Sequence, residues 1–365
     1  MAYPENALTL DILPLSADTA RLVRVYGTAP CVVLPAVLPA PEGGSFAVTE
    51  LGGYCFSEKP RSLPAADKTC RYTVEPDGTV RLTRAFGQTV GGTCRRYDFD
   101  FDAPASDADT LHPVCGNFLE EVTLPDSLQV IGSCAFYNCR RLRRLSVGAG
   151  DLTVGSDVFL NCFALADLLV RAAPEEKTGL FALVNNITEA VRALFWLPGE
   201  ARPRAGLWYP AYWEDVEESP AHILLHTFSG QGYHYRQCFL DGKILSAEYD
   251  AIFPDGHAAE DQGVAAMLCF DRLRWPWNLT EKAKAPYREF LAAHTGLVLQ
   301  RLLKAQDTAS IKALLALDVL DAAAFAEGAA LAAKADNAAA AALLADAEHK
   351  KRGSAPKKRR YDFDF

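Results

Sequence analysis

Leu119-Glu-Glu-Val-Thr-Leu124 begins a stretch of the chain that repeats itself with a fixed period. The pattern returns 23 residues later as Leu142-Arg-Arg-Leu-Ser-Val147, and after 23 more as Leu165-Ala-Asp-Leu-Leu-Val170. Between these units, residues 130–139 align with residues 153–162 at the same offset, and Gly, Phe, Asn and Cys coincide. A repeat of this length supplies one short strand per coil, which cannot bury its apolar side alone. We therefore expect successive coils to stack and to share one core.

The apolar positions of one coil are expected to point inward: Leu119, Val122, Leu124, Val130, Ile131 and Phe136. Gly132 and Gly155 occupy a corner at which we expect a side chain to obstruct the neighbouring coil. Asn138 and Cys139 close the coil in this interpretation. An inward Asn would satisfy backbone groups of the bend, and the Cys would pack as a small apolar side chain.

The pattern L..V.LP.S...IG..AF.NC..L resembles the BspA-type leucine-rich repeat family. Residues 48–57 are similar to the family's VTEIG.YAF segment, which puts Leu51 and Phe56 in register with Ile131 and Phe136. The resemblance implies a solenoid that binds other proteins. The better-known members of the family are surface or secreted adhesins.

The whole chain is predicted to be α+β: a short leucine-rich repeat solenoid with a β-rich middle unit, an Ala-rich α-helical array and a disordered C-terminal tail. The predicted segments are a cap and first repeat (1–59), an insertion with a β-hairpin (60–114), the repeats (115–175), a β-rich aromatic unit (176–256), the helical array (257–350) and a flexible tail with a docking-like motif (351–365). The array weakly resembles ankyrin or another helix-pair array.

Local patterns place the elements within these segments. Residues 72–82 predict a hairpin with its turn at Asp77-Gly78. In the middle unit we expect strands at residues 190–197, 223–228 and 233–239, and a turn at Asp241-Gly242. The helices are predicted at 258–274, 281–293, 296–304, 308–316, 321–335 and 337–350, with N-caps at Asp307-Thr308 and Asp336-Asn337.

Composition bears on partners and compartment. The net charge of -9 argues against nucleic acid or anionic lipid as a partner, because either would need a basic surface. The N-terminal residues show no export signal, and no stretch approaches 18 uninterrupted apolar residues, so we expect a cytoplasmic protein. The ten Cys residues lack zinc-type spacing, and we expect them to be reduced and mostly buried.

One peptide occurs twice. Residues 95–101 and the last seven residues, 359–365, both have the sequence RRYDFDF. In an extended strand the aromatic side chains share one face and the carboxylates the other. The peptide is therefore predicted either to dock in a groove of a partner or of another copy of the chain, or to be a structural strand at 95–102 and a solvated end. The candidate binding residues are Tyr97, Phe99, Phe101, Arg359, Arg360, Tyr361, Asp362, Phe363, Asp364 and Phe365.

A second candidate is the aromatic stretch around residues 196–213. Aromatic side chains are concentrated there at Trp208, Tyr209, Tyr212 and Trp213, where a loop would normally be polar. They are expected to form core or cap, or else an exposed contact patch.

The sequence offers little for catalysis or metal binding. His222, His226 and His234 lack the Glu of a metalloprotease helix, and residues 98–109 have Ala103 where a calcium loop needs Gly. Residues 356–360 resemble a nuclear import signal, but acidic and aromatic residues follow. No metal, cofactor or catalytic residue is predicted, and no phosphate loop or nucleophile elbow occurs. We expect a non-enzymatic intracellular scaffold or adaptor that binds proteins through its repeat surfaces and the duplicated peptide, which docks either on a partner or on another copy of the chain; the alternatives are an enzyme with its site in residues 180–275 or a surface adhesion protein.

Overall fold

The computed structural model describes residues 7–61, 63–87, 111–218, 224–256 and 261–354. The chain divides into two compact units. The first unit contains residues 1–204 and 211–245, and the second contains residues 205–210 and 246–365.

In chain order, the strands are β1 (Leu8–Pro14), β2 (Thr19–Tyr26), β3 (Cys31–Val33), β4 (Val37–Pro39), β5 (Ser45–Leu51), β6 (Cys70–Val74), β7 (Val80–Arg84), β8 (Glu121–Thr123), β9 (Val130–Ile131), β10 (Arg144–Val147), β11 (Thr153–Val154), β12 (Asp167–Val170), β13 (Val191–Phe195), β14 (Ala205–Tyr209), β15 (Trp213–Glu218), β16 (Leu224–Ser229), β17 (Phe239–Leu240) and β18 (Lys243–Ile244). The helices are α1 (Leu180–Val184), α2 (Gly232–Arg236), α3 (Ser246–Gly256), α4 (Gln262–Arg274), α5 (Glu281–Ala293), α6 (Thr295–Lys304), α7 (Thr308–Ala316), α8 (Ala322–Lys334) and α9 (Ala338–Ser354).

The first unit is a β-solenoid, as the 23-residue period predicts. One sheet places its parallel strands in the order β13-β12-β10-β8-β3, so each coil adds one strand to the ladder. The other sheet has the order β11-β9-β5-β2-β1-β6-β7, with β4 also paired to β5. The register joins residues one period apart, such as Leu145 with Val122 and Leu168, and all three side chains are buried.

Phenylalanine rings fill the interior at one position of each coil. The ring centroid of Phe136 lies 5.1 Å from that of Phe56 and 5.5 Å from that of Phe159, and the rings are nearly parallel. The predicted register of residues 48–57 with the later repeats is therefore confirmed. The Cys residues make equivalent bonds to the preceding coil. The Cys139 thiol donates to the Phe56 carbonyl at 3.2 Å, and the Cys162 thiol donates to the Phe136 carbonyl at 3.1 Å.

The two corner glycines are required by close approach of neighbouring coils. A Cβ atom on Gly132 would lie 2.4 Å from the backbone nitrogen of Gly53, and one on Gly155 would lie 2.5 Å from that of Ser133. Both distances are far below van der Waals contact with backbone atoms that cannot move aside. The prediction that a side chain at Gly132 or Gly155 would obstruct the neighbouring coil is thus confirmed.

The expected role of Asn138 differs from the observed one. Asn138 and Asn161 lie half-buried at the surface with φ values of 64° and 65°, a left-handed conformation that Asn tolerates better than most residues. The Asn161 side-chain nitrogen donates to the Asn138 side-chain oxygen at 2.7 Å. The Asn residues therefore shape the turn and bond to each other across the coils.

The insertion is partly built into the solenoid. Strands β6 and β7 form the predicted hairpin with Gly78 in the turn at φ 84°, and β6 also pairs with β1 through five residues in register. This part of the insertion therefore extends a sheet and does not merely decorate a coil. The predicted strand at 95–102 lies outside the described residues.

In the middle of the chain, the strands predicted at 190–197 and 223–228 are present as β13 and β16, and Asp241-Gly242 forms the turn between β17 and β18. The strand predicted at 233–239 is wrong, because residues 232–236 form helix α2. The reason is Arg236, whose buried guanidinium donates to the carbonyls of Val184, Ile187, Gly232 and Glu189 at 2.8–3.0 Å. These bonds hold the short helix in place.

The second unit is the predicted helical array, and it begins earlier than expected. Helix α3 occupies Ser246–Gly256, which the sequence assigned to the β-rich unit. The remaining helices agree closely with the prediction. Asp307 caps α7 by accepting from the Ser310 backbone nitrogen, and Asn337 caps α9 by accepting from that of Ala340.

A polar network crosses the core of the second unit. The Trp208 indole donates to the Asp271 carboxylate at 2.7 Å, and Tyr249 exchanges hydrogen bonds with the Trp208 backbone. The Arg272 guanidinium makes two bonds of 2.8 Å to Asp250, which also accepts from Tyr287 at 2.9 Å. The flexible tail predicted to begin at residue 351 is wrong for residues 351–354, because helix α9 continues through Ser354; from residue 355 onward the predicted tail lies outside the described residues.

Candidate protein-binding surface

The open face of the parallel sheet carries an alternating row of charges. Glu121, Arg144, Asp167 and Arg192 lie in register on β8, β10, β12 and β13. Arg144 lies 3.3 Å from Glu121 and 3.6 Å from Asp167, and Arg192 lies 2.8 Å from Asp167. Each charge is offset by its neighbours, so this row joins the coils and presents little net charge to a partner.

The hairpin of β15 and β16 presents a different kind of surface. Among the described residues it pairs with no third strand. Its residues alternate between two faces, because side chains of a strand point to opposite sides in turn. The register pairs Glu214 with Phe228 and Glu218 with Leu224, and Val216 lies between these two pairs on the same face, which gives three rows along β15. We call this set the hairpin face.

The hairpin face carries three apolar side chains that are open to solvent. Val216 is 52% exposed, Leu224 is 59% exposed and Phe228 is 39% exposed. The opposite face carries Trp213 at 66% and Leu225 at 53% exposure. Large apolar side chains on a strand pair with no described neighbour are typical of a surface that another chain covers.

Aromatic packing fixes the base of the hairpin. The ring centroids of Tyr212 and Phe228 are 6.2 Å apart, and Phe228 stacks on Tyr233 at 4.0 Å. The Arg236 guanidinium lies 4.8 Å from the centroid of the Tyr212 ring. Burial raises the pKa of Tyr212, so its phenol stays neutral at physiological pH. The hairpin therefore starts from a rigid anchor.

A pocket of about 300 Å³ adjoins this anchor. It lies between the last repeat, the segment after α1 and the start of β15; its lining residues include Asp157, Leu160, Phe163, Asn185, Glu189, Tyr212 and Glu214. Phe163 is 64% exposed and Leu160 is 48% exposed. Because Glu214 also belongs to the hairpin face, the pocket and the face form one continuous surface.

The charge of this surface is acidic. Asp157, Glu189 and Glu214 line the pocket, and no Lys, Arg or His is among the described residues that line it. Glu218 adds one more exposed carboxylate on the hairpin face, and Asp215 and Glu217 are exposed on the opposite face of β15. An acidic surface with apolar side chains between the charges suits a partner that carries both basic and aromatic groups.

The predicted site residues are distributed as follows. Trp208, Tyr209 and Tyr212 are buried, whereas Trp213 is exposed. Burial gives the first two a packing role in the second unit, and Tyr212 supports the hairpin from below. The peptide candidates Tyr97, Phe99 and Phe101, and those at 359–365, lie outside the described residues.

Several residues of the surface were missed by the sequence interpretation. The sequence interpretation places Leu224 and Leu225 in a predicted strand and Leu160 and Phe163 in a repeat, and it does not predict strand β15, which carries Val216. Phe163 offered a signal, since it stands where the preceding coil has Arg140. An aromatic residue in place of a charged one marks that coil as different on its outer side.

The cysteines behave as packing residues, with one difference. Burial raises the pKa of the Cys55 and Cys162 thiols to about 12. Cys31 is exposed on β3, and partial burial together with Glu121 raises the pKa of its thiol.

Within the described parts of the chain, no group of three or more His, Cys, Asp or Glu residues is placed to hold a metal ion. No described helix is long and apolar enough to cross a membrane.

The fold is a β-solenoid followed in the sequence by a helical array. Residues 115–190 match the family model of the BspA type leucine rich repeat region, in six copies. The resemblance seen in the repeat motif is thereby confirmed for this part of the chain.

Structural similarity was also found to a leucine rich cell surface protein from Faecalibacterium prausnitzii A2-165. The two share 17% sequence identity with a TM-score of 0.24, over 47% of this chain and 33% of that chain. This chain therefore spans about a third of the length of that protein. No curated protein matches the sequence.

Proposed function

We propose that the chain is a non-enzymatic scaffold or adaptor that binds other proteins. Repeats of the matched type suggest protein–protein interaction or adhesion, and they are typically non-enzymatic. The observation that carries the proposal is the hairpin face with its adjoining pocket. Val216, Leu224 and Phe228 are exposed there in one row, and covering them would gain roughly 25 cal/mol for each Å² of apolar surface removed from water.

The repeat sheet contributes rigidity more than recognition. Its charged row from Glu121 to Arg192 is neutralised within the chain, and each exposed pair is worth at most about 1 kcal/mol. Stacked coils hold the hairpin anchor and the pocket in a fixed geometry, which lowers the entropic cost of binding. The helices of the second unit would offer a further surface.

The duplicated RRYDFDF peptide is proposed as a docking motif of this scaffold. Two copies in one chain would raise avidity for a partner with two grooves, provided that both can be reached. Deleting residues 355–365 should leave the melting temperature unchanged and weaken partner binding. A large fall in melting temperature would show instead that the tail belongs to the fold.

The proposed location is the cell interior. Nine described cysteines are free thiols, including the exposed Cys31, and such thiols persist in reducing compartments. The rival proposal of surface adhesion and this one are separated by fractionating native cells and detecting the chain in each fraction. Recovery from the surface fraction would reject the intracellular scaffold.

The enzyme alternative predicts chemistry at the carboxylates of residues 180–275. Glu189 and Glu214 are the two from that range that line the pocket. The Glu214→Gln substitution separates the alternatives, because a catalytic carboxylate would be needed for turnover, while a contact residue would only tune affinity. A hydrolytic activity that this substitution abolished would replace the scaffold proposal.

The main test uses neighbouring residues on opposite faces of one strand. Leu224 lies on the hairpin face and Leu225 on the other, with 59% and 53% exposure. The full-length chain, Leu224→Lys and Leu225→Lys are each used to capture proteins from native cells after cross-linking. Partners lost with Leu224→Lys and kept with Leu225→Lys support the proposal. Equal capture by all three chains would refute the hairpin face as the binding site.

A further inference from the structure

We propose that the hairpin face and its pocket bind the C-terminal segment 357–365 of a second copy of this chain. The inference rests on the proposed function, since it names an occupant for the same surface. That occupant has the sequence KKRRYDFDF, which combines four basic residues with three aromatic ones. The basic residues are complementary to the acidic pocket, and the aromatic residues are complementary to the apolar side chains of the hairpin face.

The spacing of the aromatic side chains matches the spacing of the rows. Tyr361, Phe363 and Phe365 are two residues apart, so in an extended segment they share one face at intervals of about 6.8 Å. The rows of the hairpin face, headed by Glu214, Val216 and Glu218 on β15, are also two residues apart. Three aromatic side chains therefore meet three rows without a change of register.

The charges fix the direction of the segment. When Tyr361 lies over the row of Glu214 and Phe228, Arg359 is two residues earlier in the segment, on the side of that row where the pocket lies. The Arg359 side chain then reaches the pocket. Asp157 and Glu189 line that pocket, so the guanidinium meets carboxylates on its walls. The opposite direction would place Arg359 beyond the row of Glu218, away from the acids of the pocket. Only the first direction pairs opposite charges at the pocket.

The remaining polar groups of the segment are accommodated in this arrangement. Asp362 and Asp364 point to the side of the segment away from the hairpin face, because they alternate with the aromatic residues. They therefore stay in water and avoid the carboxylates of β15. Lys357 and Lys358 precede Arg359 and add positive charge near the pocket.

Binding in this way makes the chain assemble head to tail. Each copy would contribute its tail to one contact and its hairpin face to another, which makes the contact heterologous. Heterologous contacts generate closed rings or open chains of copies. The expected products are rings or short chains of copies whose size grows with concentration. The sequence repeated at 95–101 offers the same side-chain pattern.

The test measures binding of a labelled synthetic peptide of residues 354–365. The receptor is the full-length chain with Phe363→Ala and Phe365→Ala, so that its own tail does not compete. Fluorescence anisotropy should show saturable binding that weakens at least about tenfold between 0.05 and 0.5 M salt, because four basic residues contribute. A peptide with Ala at the three aromatic positions should not bind.

Matched receptor variants locate the site. Leu224→Lys in that receptor should raise the Kd for the peptide at least about tenfold, because the Phe365 ring would then cover a charged side chain in place of an apolar one. Leu225→Lys adds the same charge on the opposite face and should change the Kd less than about twofold. Equal effects of the two substitutions, or no binding of the peptide, would overturn the inference.

Sedimentation velocity supplies the independent measurement. The unaltered chain should form concentration-dependent oligomers, and Phe363→Ala with Phe365→Ala should return it to the monomer. A chain that stays monomeric throughout would overturn the inference. If the peptide does not bind but Leu224→Lys still loses a captured partner, the proposed function stands and its occupant is another protein. If neither result is obtained, both proposals fall.

Discussion

The Phe136→Ala substitution is expected to destabilise the first unit strongly. The Phe136 side chain is fully buried and lies between the rings of Phe56 and Phe159 at 5.1 and 5.5 Å. Removing the ring leaves a cavity that the stacked coils on either side cannot close, because their backbones are held by the ladder hydrogen bonds. The cavity thus affects three coils at once.

The magnitude follows from the ring's burial. An aromatic side chain buries roughly 150 Å² or more, and at about 25 cal/mol/Å² this corresponds to about 4 kcal/mol. Measured Phe→Ala substitutions in cores cost about 3 to 5 kcal/mol, which includes the cavity and agrees with this value. We expect a loss of about 4 kcal/mol in the free energy of unfolding of the first unit.

The assay is urea unfolding of the full-length chain, with hydrogen exchange at β9 and β11 to assign the transition to the first unit. Tyr137→Ala is the control, because Tyr137 is the next residue and is only half-buried on the outer turn. It should cost about 1 kcal/mol. Equal midpoints for the two variants would show that the assignment of inward and outward positions is wrong.

The other predictions concern the corner glycines, a buried arginine and the thiols. Gly155→Ala should prevent or severely weaken folding in a melting experiment, whereas Gly150→Ala should be mild, because the nearest atom to a Cβ there is 3.6 Å away. Arg236→Met should cost about 3 kcal/mol in urea unfolding, because the carbonyls of Ile187 and Glu189 lose the guanidinium donors. In the native chain at pH 8, iodoacetamide should label Cys31 first and leave Cys162 unmodified, since a thiol with a pKa of about 12 is almost entirely protonated; equal labelling by mass spectrometry would contradict this.

The repeats and the helices could be predicted from the sequence because their causes are local or periodic. A 23-residue period fixes which residues stack, and Phe56, Phe136 and Phe159 therefore meet in register. Asp307 and Asn337 mark helix starts, because a short polar side chain satisfies backbone donors within the first turn. The predicted helix bounds in residues 281–350 consequently agree with the structure within a few residues.

The short helix α2 could not be predicted, because its cause lies elsewhere in the chain. Tyr233 and Tyr235 alternate with polar residues and indicate a strand. Arg236 decides the outcome through carbonyls of residues 184–189, about fifty positions earlier, which only the folded chain brings within hydrogen-bonding distance. The pairing of β6 with β1 is decided in the same way, by partners sixty or so residues apart.

The sequence by itself determined that the chain stacks repeats, adds a helical array and carries the RRYDFDF peptide twice, since each follows from pattern or identity. The tertiary structure alone decided which apolar and aromatic side chains are exposed. Trp208 and Trp213 are equally aromatic in sequence, yet one is buried and the other exposed. Exposure depends on whether another element covers a side chain, and no local pattern encodes the position of an element that is distant in sequence.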